Sequence, residues 1–267
     1  MQRLNVDGQH LEMRLIEGSD TLPPIVFLHE GLGSVSLWTQ RGLDWPLAVC
    51  QATCRAGVVF SRRGYGQSSP SPQGRDVLPP DYMHLEAWQV LPALLTQLHI
   101  QNPVLIGHSD GATIALLYAS RFTVAACIAM APHVLVEDVA IKAICQAKLA
   151  FESGDLRQRL AKHQLDVDGA FWQWNDVWRS EAFASFDIRA DCRRITAALL
   201  LVQGLNDEYG TMRQLDEIAA AAPHAQQLRL ADCGHAPHRD QPLATRKAIV
   251  DLLASVAGQT QNHLHHA

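Results

Sequence analysis

Val104-Leu105-Ile106-Gly107-His108-Ser109-Asp110-Gly111-Ala112 is the stretch whose reading decides the fold. A short apolar run, bounded by Pro103, has the look of a strand covered on both faces. The residues 112–121 that follow are apolar and helix-forming. Ser109 therefore falls at a tight turn from strand to helix, with its hydroxyl directed out of the carboxyl edge of a sheet. The flanking glycines let the backbone pass close without side-chain clash. The helix points its first amides, and the positive end of its dipole, at that hydroxyl.

Outward from this point, strand-like and helix-like segments alternate. Asp7-Gly8 supplies the positive φ angles of a hairpin turn between residues 4–9 and 11–17. Ile25-Val26-Phe27-Leu28 and Gly57-Val58-Val59-Phe60 are further buried-strand runs, and residues 82–98 carry apolar positions at helical spacing, with Pro92 predicted to kink that helix. A strand at 126–130 ends at Ala131-Pro132, and alternation resumes with a strand at 197–202, a helix at 211–222, a strand at 227–230 and a helix at 243–257. This order predicts a mostly parallel sheet with helices on both faces. The stretch 133–195 has no buried-strand run and carries Phe171, Trp172, Trp174, Trp178, Phe183 and Phe186, which reads as a helical insertion over one edge of the sheet.

A serine hydroxyl needs a base, and the base needs a carboxylate to fix its tautomer. His235, in Asp232-Cys233-Gly234-His235 after the last strand, is the predicted base, within reach if that strand lies near the middle of the sheet. His238 is its nearest rival. Asp207 follows the strand at 197–202 and is the predicted acid, with Glu208 the alternative. The oxyanion of a tetrahedral intermediate would be met by two backbone amides. One is that of Asp110; the other lies in Leu28-His29-Glu30-Gly31-Leu32-Gly33-Ser34, at Gly31 first and Glu30 second.

Composition narrows the classes. The 267 residues are 48% hydrophobic and 18% charged, enough for one large core with an insertion. A net charge of -5, with no run of five basic residues, argues against nucleic-acid binding. No apolar stretch approaches the ~20 residues of a membrane span. The N-terminus lacks the pattern of a signal peptide, so a cytoplasmic location is expected. In that compartment the six cysteines read as free thiols, and none forms a CxxC pair. His263, His265 and His266 read as a frayed tail rather than a metal site; no metal or cofactor is expected. A small-molecule substrate is the expected partner, with a homodimer left open.

Together these residues resemble the α/β-hydrolase superfamily over nearly the whole chain. Its HG-x-x-G-S loop with a following tryptophan corresponds to His29-Glu30-Gly31-Leu32-Gly33-Ser34 and Trp38, and its D-x-R-G-x-G-x-S turn to Ser61-Arg62-Arg63-Gly64-Tyr65-Gly66-Gln67-Ser68. The resemblance implies an eight-stranded sheet in a core of 1–132 and 196–267, and a helical cap at 133–195 inserted after strand 6. It implies a carboxylesterase-like serine hydrolase acting on an ester, lactone, thioester or diketone C–C bond through Ser109, His235 and Asp207. A cofactor-independent dioxygenase and a non-catalytic small-molecule receptor share the fold and are the alternatives. Glu30 and Ser61 depart from the usual glycine and aspartate. Glu30, His108, Trp172 and Trp178 are the predicted substrate-binding side chains.

Overall fold

The computed structural model describes residues 2–69 and 78–264. An eight-stranded sheet is built from β1 (Gln2–Val6), β2 (Gln9–Ile16), β3 (Ile25–Leu28), β4 (Gly57–Phe60), β5 (Val104–His108), β6 (Ala126–Met130), β7 (Ala198–Gly204) and β8 (Gln226–Leu230). Its order is β1-β2-β4-β3-β5-β6-β7-β8. β2 runs antiparallel to both neighbours, and all later pairs are parallel. The β1–β2 hairpin closes with Val6 opposite Gln9, and Asp7 and Gly8 take φ of 49° and 81°, the two positive values that a two-residue turn demands.

Side chains of the central strands alternate between two apolar layers. Val26, Leu28, Leu105, Cys127 and Leu201 face one layer, while Ile25, Phe27, Ile106, Ile128 and Val202 face the other. Continuous hydrophobic runs are thus the expected sequence of strands covered on both sides, each buried large side chain contributing about 1.5–3 kcal/mol. The helix α1 (Trp45–Thr53) and the C-terminal α11 (Pro242–Leu264) pack on the second face. α1 starts where Asp44 accepts a hydrogen bond from the Leu47 amide and Pro46 occupies the first turn. The segment read as one kinked helix is helical in three pieces: α2 (Tyr82–Leu85), a π-helical turn (Glu86–Val90) and α3 (Leu91–Gln97). Pro92 offers no amide and its ring excludes the carbonyl one turn back, so the wider turn just before it absorbs the clash.

The helix α4 (Asp110–Ala119) follows β5 and lies on the first face. Between β6 and β7 the chain forms α5 (Asp138–Ser153), α6 (Leu156–Leu160), α7 (Val167–Trp178), a short 3-10 turn (Glu181–Ser185) and α8 (Arg189–Cys192). Then come α9 (Arg213–Ala221) and α10 (Pro237–Asp240). All six cysteines are unpaired. Among the described residues no helix is long and apolar enough to cross a membrane. The helix α11 carries the backbone past residue 263, while 265 and 266 of the histidine-bearing tail lie outside the described residues.

β8 is not near the middle of the sheet, as the reading of His235 required, but at its edge. The loop after β8 makes up the distance by crossing the end of β7. The Asn206 amide donates to the Cys233 carbonyl across 3.0 Å. A Cβ on Gly204 would overlap that same carbonyl, so the crossing needs glycine at the strand's last position.

Candidate active site

Ser109 joins β5 to α4 with φ 53° and ψ -120°, a strained conformation for a residue with a side chain. Close packing enforces it. A Cβ on Gly107 would overlap the Gly111 carbonyl, and one on Gly111 would overlap the Leu28 carbonyl of the neighbouring strand. The turn lifts the Ser109 hydroxyl to 2.9 Å from Nε2 of His235. Nδ1 of His235 lies 2.8 and 3.0 Å from the two carboxylate oxygens of Asp207. A carboxylate only accepts, so Nδ1 carries the proton and Nε2 is free to accept from the serine. Three segments distant in sequence thus meet in one hydrogen-bonded row at the carboxyl ends of the strands.

Asp207 is held independently. Its Oδ1 accepts from the amides of Tyr209 (2.8 Å) and Gly210 (3.2 Å), and its Oδ2 from Gln203 Nε2 (3.2 Å). Burial works to raise its pKa, but the His235 hydrogen bond, the His235 charge and the Tyr209 amide outweigh it and hold the carboxyl below its ordinary value. Glu208 does not compete for the imidazole; its Oε2 accepts from the His235 backbone amide across 3.2 Å. His238 packs its ring 4.8 Å from His108, 4.9 Å from Trp38 and 5.6 Å from Trp45.

The loop after β3 lies beside the elbow. His29 is fully buried, its Nδ1–H donating to the Glu30 carbonyl (2.6 Å) and its Nε2 accepting from the Arg62 amide (2.9 Å). Both nitrogens are committed in the neutral ring, and burial first, then Arg62, lowers its pKa to about 3. The Glu30 carboxylate turns toward His108, 3.5 Å from its Nδ1. Asp110 turns its side chain away from the cavity into a buried network. Its Oδ2 accepts from the Tyr82 hydroxyl (2.6 Å) and lies 3.7 Å from Arg62, while Tyr82 accepts in turn from Trp178 Nε1 (3.1 Å).

A cavity of about 750 Å³ opens over Ser109 and His235, within the usual range for a small-molecule site. Gly31, His133, Trp174, Trp178 and Tyr209 line it, together with Glu30 and His108. Trp172 does not: it packs against Phe171, Phe151 and the Lys148 side chain. The missing wall is Trp174, whose indole lies so close over Gly31 that a Cβ there would overlap it. Trp174 and Trp178 are one helical turn apart, and that spacing was the available signal. His133 is also part of the site, its ring 4.9 Å from Trp178 and 5.6 Å from His235; burial first, then the charge of His235, lowers its pKa to about 3.

Known proteins are similar to this chain over most of its length. The sequence model of the alpha/beta hydrolase family matches residues 25–248. The mouse (Mus musculus) sn-1-specific diacylglycerol lipase ABHD11 is 28% identical over 273 aligned positions, covering 91% of this chain and 85% of the lipase. The enol-lactonase from Burkholderia xenovorans LB400 superposes with a TM-score of 0.74 at 20% identity, over 95% of this chain and all (100%) of that one. A structure described under carboxylesterases of the thaumarchaeon Nitrososphaera gargenis superposes with a TM-score of 0.73 at 17% identity, over 97% and 100%. These likenesses join the strand order and the serine-bearing elbow in one conclusion: the chain belongs to the alpha/beta hydrolase family.

Proposed function

We propose that this chain hydrolyses a carboxylic ester, or a closely related lactone or thioester, through an acyl-enzyme on Ser109. The observation that carries the reading is the unbroken row from Ser109 Oγ through the His235 ring to Asp207, at 2.9 and 2.8 Å. As Oγ attacks the carbonyl carbon, its proton passes to Nε2 of His235, and Asp207 stabilises the imidazolium that results. The developing oxyanion is met by the amides of Asp110, at the start of α4, and Gly31. His235 then returns the proton to the leaving alkoxide. In the second half it takes a proton from water, which attacks the acyl carbon and frees the acid.

Residues 133–195 act as a cap in this reading. Ile144, Leu160, Trp174 and Trp178 come from that stretch and wall the cavity. Tyr82 and Trp178 tie α7 to Asp110 at the elbow, which supports this reading.

A fluorophosphonate probe tests the proposal. One covalent adduct is expected, at Ser109, and Ser109→Ala abolishes both labelling and ester turnover. Asp207→Asn, which leaves His235 without the partner that fixes its tautomer, lowers kcat about 10³–10⁴-fold. Ester turnover that survives Ser109→Ala refutes the mechanism.

A further inference from the structure

The charge at the cavity's rim differs from that at its floor. Arg41, Arg159, Lys162 and Arg239 line the cavity and are solvent-exposed. The acidic residues that line it are Glu30, Asp110 and Glu208, and the carboxylate of each is turned to another group of the protein itself. Glu30 faces His108, Asp110 is under Tyr82, and Glu208 receives the His235 amide. The four cations come from three separate segments: a hairpin turn, α6 with the residues after it, and α10. In a chain of net charge -5, this convergence runs against the average.

Two of the cations have nearby acids, Asp155 at 3.4 Å from Arg159 and Asp240 at 3.5 Å from Arg239. In both pairs the cation is solvent-exposed, so the neutralisation is weak. Among the described residues, no carboxylate lies within ion-pair distance of Arg41 or Lys162. Arg41 is also held in place. It has φ 51° and Gly42 has φ 77°, so the two form the tight turn of a small hairpin between Thr39–Gln40 and Leu43–Asp44. Below the rim the wall is apolar, from Leu37, Ile144, Leu156 and Leu160.

We propose that the substrate is an amphiphilic anion: an ester whose apolar stem lies along Leu37, Ile144 and Leu160 and whose remote end carries a carboxylate or phosphate that meets Arg41 and Lys162. The proposal rests on ester hydrolysis at Ser109 and adds the chemical class of what is hydrolysed. Such an anion gains from several cations at once and is drawn toward the mouth before it docks, a gain that added salt screens.

The test compares phenyl hexanoate, monophenyl adipate and the phenyl ester of a phosphorylated hydroxyhexanoate, whose stems are alike. The anionic esters are expected to show kcat/KM about tenfold above the neutral one, carried mainly by KM and shrinking as salt rises to about 0.5 M. Which anion gains more separates carboxylate from phosphate. In Arg41→Asn/Lys162→Gln the advantage collapses; asparagine tolerates the positive φ that Arg41 occupies. Calorimetry on Ser109→Ala protein gives a second reading free of turnover, with monophenyl adipate expected to bind more tightly than phenyl hexanoate. Equal or better turnover of the neutral ester, with no effect of salt, overturns the anionic class while leaving ester hydrolysis intact. Failure of every ester, together with no label at Ser109, overturns both.

Discussion

Nε2 of His108 donates to the backbone carbonyl of His235 across 2.7 Å. A carbonyl can only accept, so this nitrogen carries the proton and the opposite one, Nδ1, is turned to the Glu30 carboxylate 3.5 Å away. Glu30, the residue that departs from the family pattern in the β3 loop, thus lies against the far edge of the buried ring whose other edge holds the backbone of the proposed base. We propose that this contact makes His108 a positioning residue for His235. His108→Ala is expected to lower kcat about tenfold, or about 1.4 kcal/mol, with little change in KM. Glu30→Gln, which keeps an acceptor but not the charge, should retain more activity than His108→Ala. Steady-state kinetics across pH check this, and a variant that changes KM alone contradicts it.

Gly31 and Trp174 are a second coupled pair. A methyl group on Gly31 would overlap the indole. Gly31→Ala therefore displaces either the tryptophan or the loop whose amide is proposed to meet the oxyanion. The expected loss in kcat is about 10²-fold, the scale of one oxyanion donor. Trp174→Leu in the same chain makes room for the methyl and should recover much of it. A double-mutant cycle measures the coupling; strict additivity of the two losses would separate the residues.

The core strands were legible because burial on both faces writes a continuous apolar run, and Ile25–Leu28, Gly57–Phe60 and Ala126–Met130 stand where the sequence puts them. Lateral order is a long-range property, which is why β8 turned out to lie at the edge. The substitution of Ser61 for the usual aspartate has an answer in another strand: Ser61 Oγ donates to Glu12 of β2 (2.7 Å), which also accepts from the Gln67 amide (2.9 Å). The carboxylate is supplied from across the sheet, a compensation no local motif reveals. Of the cap aromatics, Trp172 and Trp174 face different sides of α7, and only packing decides which side meets the cavity.

Acid should destabilise this protein in part through His29. Its ordinary pKa of 6.5 is lowered to about 3 in the fold, by burial first and Arg62 next. The unfolded chain therefore takes up this proton before the native one does. Stability falls as pH drops from about 6.5 toward 3, and the contribution is fully present above 6.5. Protonation would also cost the Arg62 amide its acceptor, since that amide donates to Nε2. Nitrogen chemical shifts of the imidazole check this directly: His29 should stay neutral at a pH near 5 where the protein is still folded. An imidazolium signal there would contradict the assignment.

Tyr82 serves two buried partners with one hydroxyl, donating to Asp110 and accepting from Trp178. Tyr82→Phe removes both hydrogen bonds at little cost in volume, so the expected loss of stability is about 1–3 kcal/mol. The loss should depend on pH. Burial already raises the Asp110 pKa against the opposing pull of Arg62 and Tyr82, and without the tyrosine the charged form is harder still to keep. A carboxyl raised in the fold costs nothing while both states are protonated, and its penalty grows as pH rises through the folded value. The deficit of Tyr82→Phe relative to the parent should therefore be smallest in acid and widen toward neutrality. Urea unfolding of both proteins from about pH 4 to about pH 8 measures it. A deficit that does not vary over that range would mean the hydroxyl serves the Trp178 indole alone, and that the carboxyl beside the proposed nucleophile draws its support from Arg62.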